Sequence, residues 1–550
     1  MNALSAQASV LVTRAALVHK NTVAQAEIFG RAYLSLPRIF SRAVAKAVEL
    51  HIASEQEMRF LLLLLLAYVF AFVYRCLPSA RWRHLLSVYG GALLGQNFCG
   101  ATGWLYPLTA ALVSFQLMHL MGPSRAAPIV FAFNLIFLFS LHLHRQLTDP
   151  FGWHLDATFM QMIVTQKLSS LAWSVSDGSP KSLSTGLSRA RAEFAVREIP
   201  LLLETLAYAF FPPCFLMGPA FEYMDWYRNA HDLAPALQLN NAGSNESGAQ
   251  VPEMRRPNIL ELSVASLARF LQAALLLLCF QLANMKLPSD LLADQNWLLR
   301  NRAEGLWRLY LRIWLSLLGL RCKYYFGFKI SEGAAILSGI GFSGYVDSVE
   351  PNSGDPGTRP PAIVRTRKPR PRFDRVRTID ILAFELAGSL KDAAAAWNKP
   401  TNTWLRRCVY ERLPRKYQLD LYGTYVVSAI WHGIAPGYYM FFVTSAFLTS
   451  LEREWRRLFR SLGLAQKLQR NRLSAAVVRV ITLVWTSATL NYFIISFVML
   501  TRDRTLRVWS ALSYWGHKML LLDLLVLLVA RILVSCLGAS ARKERSQLRA

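Results

Sequence analysis

Acidic residues are scarce in this chain. Its 34 Asp and Glu stand against 61 Lys and Arg, a net charge of +27 at pH 7. Such a balance usually points to nucleic acid. Here the basic residues sit in short stretches between apolar runs, where cytosolic loops of membrane proteins concentrate them, so nucleic acid is not the expected partner. Paired cysteines are also missing. The seven cysteines, at 76, 99, 214, 279, 322, 408 and 536, stand singly with no CxxC spacing, which excludes a disulfide framework and a cysteine-based zinc site. There is no HExxH, no GxSxG nucleophile elbow and no P-loop, so metalloprotease, serine hydrolase and nucleotide triphosphatase chemistry have no carrier. No internal repeat is found, which removes the usual signature of an inverted-repeat transporter.

Apolar length is what the chain has in abundance. Only 17% of its 550 residues are charged and 53% are hydrophobic. The clearest runs are 60–74, 104–122, 128–143, 259–282, 478–500 and 513–537, each near the ~20 residues that cross a hydrocarbon core. Weaker ones lie at 85–102, 160–173, 200–221, 306–320 and 422–449. Backbone in lipid must satisfy its own hydrogen bonds, so helices are expected. The sequence therefore predicts an all-α polytopic membrane protein with about ten or eleven membrane-embedded helices.

A basic N-terminal segment, 1–57, precedes the main domain at 58–540, and a basic tail follows at 541–550. The first 26 residues have no acid, a composition shared with mitochondrial transit peptides, but no apolar signal-peptide core precedes the run at Phe60. That run is expected to serve as an uncleaved signal anchor. Polar stretches at 174–191, 228–258 and 346–377 read as loops, the last Pro-rich and basic. Asn245-Glu-Ser is a glycosylation sequon only if its loop is lumenal.

Three stretches carry polar groups where apolar ones are expected. The first is VVSAIWHGIAPGYYMFF, 426–442. On a helix, Ser428 and Tyr425 fall on the face of His432, and Pro436 lacks the amide that would bond the His432 carbonyl. Gly437 would then allow unusual backbone angles. A polar strip beside a helix break is expected to line a cavity, and the same features suit a structural, hydrogen-bonded histidine. The second, 391–414, places Asn398 at a helix end, Lys399 outside the α region before Pro400, and a new helix from Thr401 or Asn402. Asp380–Ala396 reads as one helix before it. Trp404, Leu405, Cys408, Val409, Arg412 and Leu413 form one stripe of the second helix, with Arg406, Arg407, Tyr410 and Glu411 opposite, as in a re-entrant or interfacial helix. The third is KYYFGFKISEGAAILSGIGFSGY. Its Gly339, Gly341 and Gly344 match the dinucleotide fingerprint only literally, because no strand precedes them; close packing or a ligand's approach suits them better. His142 and His144 lie on different helix faces with no nearby carboxylate, and His154 and Asp156 read as a membrane edge. A histidine with no activated Ser or Cys suggests a general base acting on a substrate hydroxyl.

With these residues in hand, the chain resembles the membrane-bound O-acyltransferases, most of all their broad-specificity lysophospholipid branch. Five blocks carry the resemblance in the family's order: DPFGWHLDATFMQMIVTQKLSSLAW, REIPLLLETLAYAFFPPCFLMGPAFEYMDW, the 323–345 block, WNKPTNTWLRRCVYERLP, and the 426–442 block. The resemblance implies a catalytic role for His432 and Asn398. It makes Trp397, Ser428, Trp431, Gly339, Gly341, Gly344, Tyr345 and Glu332 candidates for substrate binding. It further implies a tunnel in an endoplasmic reticulum membrane, acyl-CoA as co-substrate, a lysophospholipid acceptor, and neither cofactor nor metal. The Gly327-Phe328 pair departs from the Ala-Trp or Gly-Trp usual in that branch, and the 346–377 insert is longer than in many relatives. The competing expectations are a family member acylating a protein or other alcohol, and a lipid transporter or scramblase with His432 in its pathway.

Overall fold

The computed structural model describes residues 2–50, 54–150, 152, 155–233, 255–346, 370–464 and 471–547. Asn245 and most of the 346–377 insert, as well as His154, lie outside them. Helix dominates. Glu55–Cys76, Pro123–Thr148, Ile259–Lys286, Arg472–Met499 and Trp515–Cys536 are each long and apolar enough to cross a membrane. Thr102–Met121 and Ala157–Asp177 are also long helices, of 20 and 21 residues. Leu306–Leu337, at 32 residues, would extend about 48 Å.

Several expected elements are subdivided. The 200–221 run forms the short helices Leu202–Ala209 and Pro212–Phe215, because Pro212 and Pro213 can begin a helix but not continue one. The 174–191 stretch is mostly helix rather than linker: Ala157–Asp177 runs through its start, and Pro180–Ser184 and Arg189–Phe194 follow. Its anchor is a fully buried Asp177 paired with Arg191. Among the described residues, the all-α expectation meets one exception, a ribbon in which Gly344–Val346 pairs antiparallel with Arg370–Arg372.

The chain divides into two compact units. Unit 1 comprises Met1–Leu141, Gly152–Ala274 and Phe326–Thr378; unit 2 comprises His142–Phe151, Leu275–Tyr325 and Ile379–Ala550. In unit 1 the core joins the 55–76, 80–99, 102–121 and 157–177 helices around Phe210, Phe215 and Leu168. Small residues let these helices approach closely: a Cβ on Gly95 would meet the Gly103 carbonyl at 2.4 Å. In unit 2 Leu309, Ile313, Tyr492, Phe493 and Trp509 form the core.

Candidate active site

His432 closes the helix Leu419–His432. The chain then passes through Gly433 at φ 135°, ψ −167°, a conformation open essentially to glycine alone, and resumes as Pro436–Ser461 with Pro436 in its first turn. The 422–449 run is thus two helices, and the break falls where Pro436 predicts it. Gly437 plays a different part from the one expected. Its φ is not left-handed; a Cβ there would lie 2.0 Å from the Ser496 carbonyl. Its N–H donates to the Leu500 carbonyl at 2.7 Å, so Gly437 seats the second helix against the end of Arg472–Met499.

Around the His432 ring stand four aromatic rings: Trp431 at 4.7 Å between centroids, Phe497 at 5.0 Å, Phe442 at 5.2 Å and Tyr438 at 5.7 Å. Among the described residues, none forms a hydrogen bond or ion pair with that ring. No acid among the described residues therefore fixes the imidazole. Ser428 is buried on the same helix, whereas the Tyr425 hydroxyl is taken by Thr449 at 2.9 Å. His142, read from sequence as one of two unremarkable histidines, lies beside the site. Its Nε2–H donates to the Trp431 carbonyl at 3.2 Å, tying the last turn of the His432 helix in place.

Asn398 sits on the neighbouring segment, which the structure breaks more often than the sequence suggests. Residues 380–396 form two helices, Ile381–Glu385 and Leu390–Ala396, the second capped by the Ser389 hydroxyl on the Asp392 amide. Asn398 then takes a left-handed conformation (φ 37°, ψ 59°) and heads the helix Lys399–Leu405. Lys399 is inside the helix after all, because Pro400 in the first turn gives up an amide that would have no helical partner. Asn398 is the cap residue by position, yet its side chain makes no cap hydrogen bond. Thr401 and Asn402 lie within the helix, and the Asn402 amide donates to the Ala394 carbonyl at 2.8 Å. A π-turn over Arg406–Tyr410 then shifts the register. That shift buries Arg407, at 1% exposure, on the side expected to face outward.

Trp397 is packed on Phe384 (4.8 Å), Tyr325 (5.8 Å) and Tyr324 (6.2 Å). The Tyr325 hydroxyl donates to Glu385 at 2.6 Å. Glu385 accepts two bonds from Arg321, at 2.8 and 3.0 Å, and Arg321 also donates to the Asn491 side-chain oxygen at 2.7 Å. This network holds the platform that precedes Asn398. Trp404, nearly two turns past Asn398, packs on Trp431 with centroids 6.2 Å apart, connecting the Asn398 and His432 helices. Trp397, Asn398, Ser428, Trp431 and His432 all belong to unit 2.

The remaining sequence candidates belong to unit 1 and are engaged there. Glu332, 1% exposed, pairs with Lys329 at 2.7 Å and Arg269 at 3.5 Å and accepts the Thr378 amide at 2.7 Å. Gly339 and Gly341 both have φ +87°, and Gly344, at +120°, opens the ribbon. A Cβ on Gly341 would strike Val376 at 2.4 Å. The Tyr345 hydroxyl donates to Glu261 at 3.4 Å. Sequence reasoning missed Phe497, His142, Arg321 and Glu385. Phe497 and the Arg321–Glu385 pair lie far apart in the chain and leave no local pattern, whereas the 426–442 block already held Tyr438 and Phe442.

Comparison with known proteins gives a consistent result. The profile of the membrane-bound O-acyltransferase family matches residues 113–495, a stretch containing His142, Asn398 and His432. The chain is 32% identical over 477 residues to a protein of Schizosaccharomyces pombe named lysophospholipid acyltransferase, covering 86% of each chain. It is 27% identical over 472 residues to lysophospholipid acyltransferase 1 of Arabidopsis thaliana, covering 84% of this chain and 91% of that one. Membrane-bound glycerophospholipid O-acyltransferase 2 of Homo sapiens is 27% identical over 453 residues, 82% of this chain and 79% of the relative.

Proposed function

The chain belongs to the membrane-bound O-acyltransferase family, and from that premise we propose that it transfers an acyl chain from acyl-CoA to the free sn-2 hydroxyl of lysophospholipids, remodelling membrane phospholipid. The names of its relatives support the acceptor class. One observation carries the chemistry: His432 closes a helix inside an aromatic enclosure with no acid beside it, on a helix that packs through Trp431 and Trp404 on the one headed by Asn398.

In this mechanism the neutral His432 ring takes the proton of the acceptor hydroxyl as its oxygen bonds to the thioester carbonyl carbon. The C=O π electrons move onto oxygen, and the Asn398 amide donates to that oxyanion. One preorganised donor of this kind is worth roughly 3 kcal/mol. The tetrahedral species collapses, the C–S bond breaks, and the departing thiolate receives the proton from the His432 imidazolium. Acyl group, proton and charge all balance without an acyl-enzyme, which accords with the absence of a nucleophile motif. The aromatic rings keep water from competing for the thioester.

The same proposal places Trp397, Ser428 and Trp431 against substrate, and Gly339, Gly341, Gly344, Tyr345 and Glu332 along a substrate path. It takes 58–540 as one acyltransferase domain with ten or eleven membrane-embedded helices around a tunnel in the endoplasmic reticulum membrane. The test is direct: membranes of a host lacking its own enzyme, carrying this protein, receive oleoyl-CoA and a panel of lysophospholipids. New diacyl phospholipid supports the reading. No product from any lysophospholipid, with the protein folded, rules out this acceptor class.

A further inference from the structure

Unit 1 contains an arginine-rich cavity whose side chains the proposed chemistry does not use; it shares only the backbone of Gly339 and Gly341 with the proposed substrate path. Arg75, Arg228, Arg256 and Asn229 line it, together with the backbone at Gly339 and Gly341. Its cavity volume is about 40 Å³, room for one small group rather than a whole ligand. Both glycines are left-handed, and a Cβ on Gly339 would press on the Asn229 side-chain oxygen at 2.9 Å and approach Arg75 at 3.6 Å. Side chains other than glycine would close the wall here.

Positive charge exceeds what the surrounding acids neutralise. Asp232 alone serves Arg83 at 2.7 Å, Arg256 at 3.0 Å and Arg75 at 3.5 Å. Arg83 is further fixed by the Leu77 and Ala230 carbonyls, so its charge is structural. Asp225 faces Arg375 at 3.9 Å, and Arg375 also pairs with Glu193. Burial pushes the Asp225 carboxyl up to about 6 despite Arg375 beside it, which makes it a weak counter-ion. Glu222, nearby, accepts from Ser170 at 2.6 Å. Arg228 is the exception in this balance. Among the described residues it forms no ion pair within 4.0 Å, and its Nη1, buried, has no hydrogen-bond partner. A buried guanidinium nitrogen with nothing to donate to is costly unless a ligand supplies the acceptor.

We infer that this cavity is a binding site for the phosphoryl group of an organic phosphate, held by Arg75, Arg228 and Arg256. Planar guanidinium forks suit tetrahedral phosphate oxygens and can engage them in pairs. Two sources carry that chemistry, a soluble nucleotide phosphate and the head group of an anionic phospholipid. The inference stands on the cavity itself and does not depend on the acyl-transfer reading.

The experiment uses the full chain in phosphatidylcholine nanodiscs. Adenosine 3′,5′-bisphosphate is titrated by calorimetry, and phosphatidic acid binding is followed by native mass spectrometry. Wild type is compared with Arg228→Gln and with Arg228→Lys, which keeps the charge and guards against a folding defect; thermal unfolding checks each variant. The expected result is saturable wild-type binding of one probe, weakened by about tenfold or more in Arg228→Gln. Loss confined to the bisphosphate identifies a nucleotide phosphate, and loss confined to phosphatidic acid identifies a lipid head group. Absence of saturable wild-type binding of both probes, or equal binding by wild type and a folded Arg228→Gln, overturns the inference.

Discussion

At the scale of single residues, Asn398 combines two properties that a substitution can separate. Its backbone is left-handed, a conformation that Asn and Gly accept and that costs most other residues about 1–2 kcal/mol. Its amide makes no cap bond and is proposed to meet an oxyanion. Asn398→Gly keeps the backbone and removes the amide, while Asn398→Ala removes both. If the amide does the chemistry, both variants lose on the order of 100-fold in kcat, and only Ala also lowers the thermal midpoint. Near-normal kcat in Asn398→Gly would assign Asn398 a backbone role alone. Much of this residue was legible: Pro400 marks a helix start, and an Asn before it reads as a terminus. The left-handed turn and the idle amide were not, because both depend on how the Leu390–Ala396 helix ends. Arg407 shows the same limit. Helical periodicity put it outside, and one π-turn, invisible to a 3.6-residue period, rotated it inward.

Among elements, the two helices meeting at Gly433 matter most, because their junction aims His432 at its aromatic enclosure. Pro436 announced the break, but the assignment of tasks to the glycines could not be read locally. Gly433 carries the unusual dihedral angles, and Gly437 carries the close approach to Ser496, a partner almost sixty residues away. Gly437→Ala would place a methyl carbon 2.0 Å from a backbone oxygen, so one helix must shift. We expect a loss of about 1–3 kcal/mol, read as a lower unfolding midpoint in detergent, with activity reduced in the molecules that remain folded. An unchanged midpoint would mean that the junction gives way easily and does not hold His432 in register. The 380–396 segment teaches a similar lesson. Its composition suits one helix, but the Leu386–Ser389 interruption lets Glu385 turn toward Arg321 and lets Trp397 settle on Phe384.

For the whole molecule, composition was a sound guide to class. The family match and the apolar helices make the chain an integral membrane protein, and the clearest apolar runs fall on helices, five of them long and apolar enough to span. Division into two units, the 344–372 ribbon and the long-range ion pairs were not legible, since each joins residues distant in sequence. The Arg321–Glu385 pair of unit 2 is mostly buried, its side chains 12% and 22% exposed, and is tied to Asn491 and Tyr325. Glu385→Ala leaves Arg321 without its carboxylate and is expected to destabilise on the order of 3 kcal/mol, measured as a drop in unfolding midpoint. The double variant Glu385→Ala/Arg321→Met should recover part of that loss; no recovery would show that Glu385 acts through contacts other than this pair.

The most direct test of the central claim compares wild type with His432→Ala at equal membrane abundance, with oleoyl-CoA and the lysophospholipid that wild type prefers. General-base removal predicts a fall of at least about 100-fold in diacyl phospholipid formation per folded molecule, alongside a lower unfolding midpoint because the ring is lost from its aromatic enclosure. Equal product formation by the two proteins would contradict the assignment of His432 as the proton acceptor and, with it, the mechanism built around the aromatic enclosure.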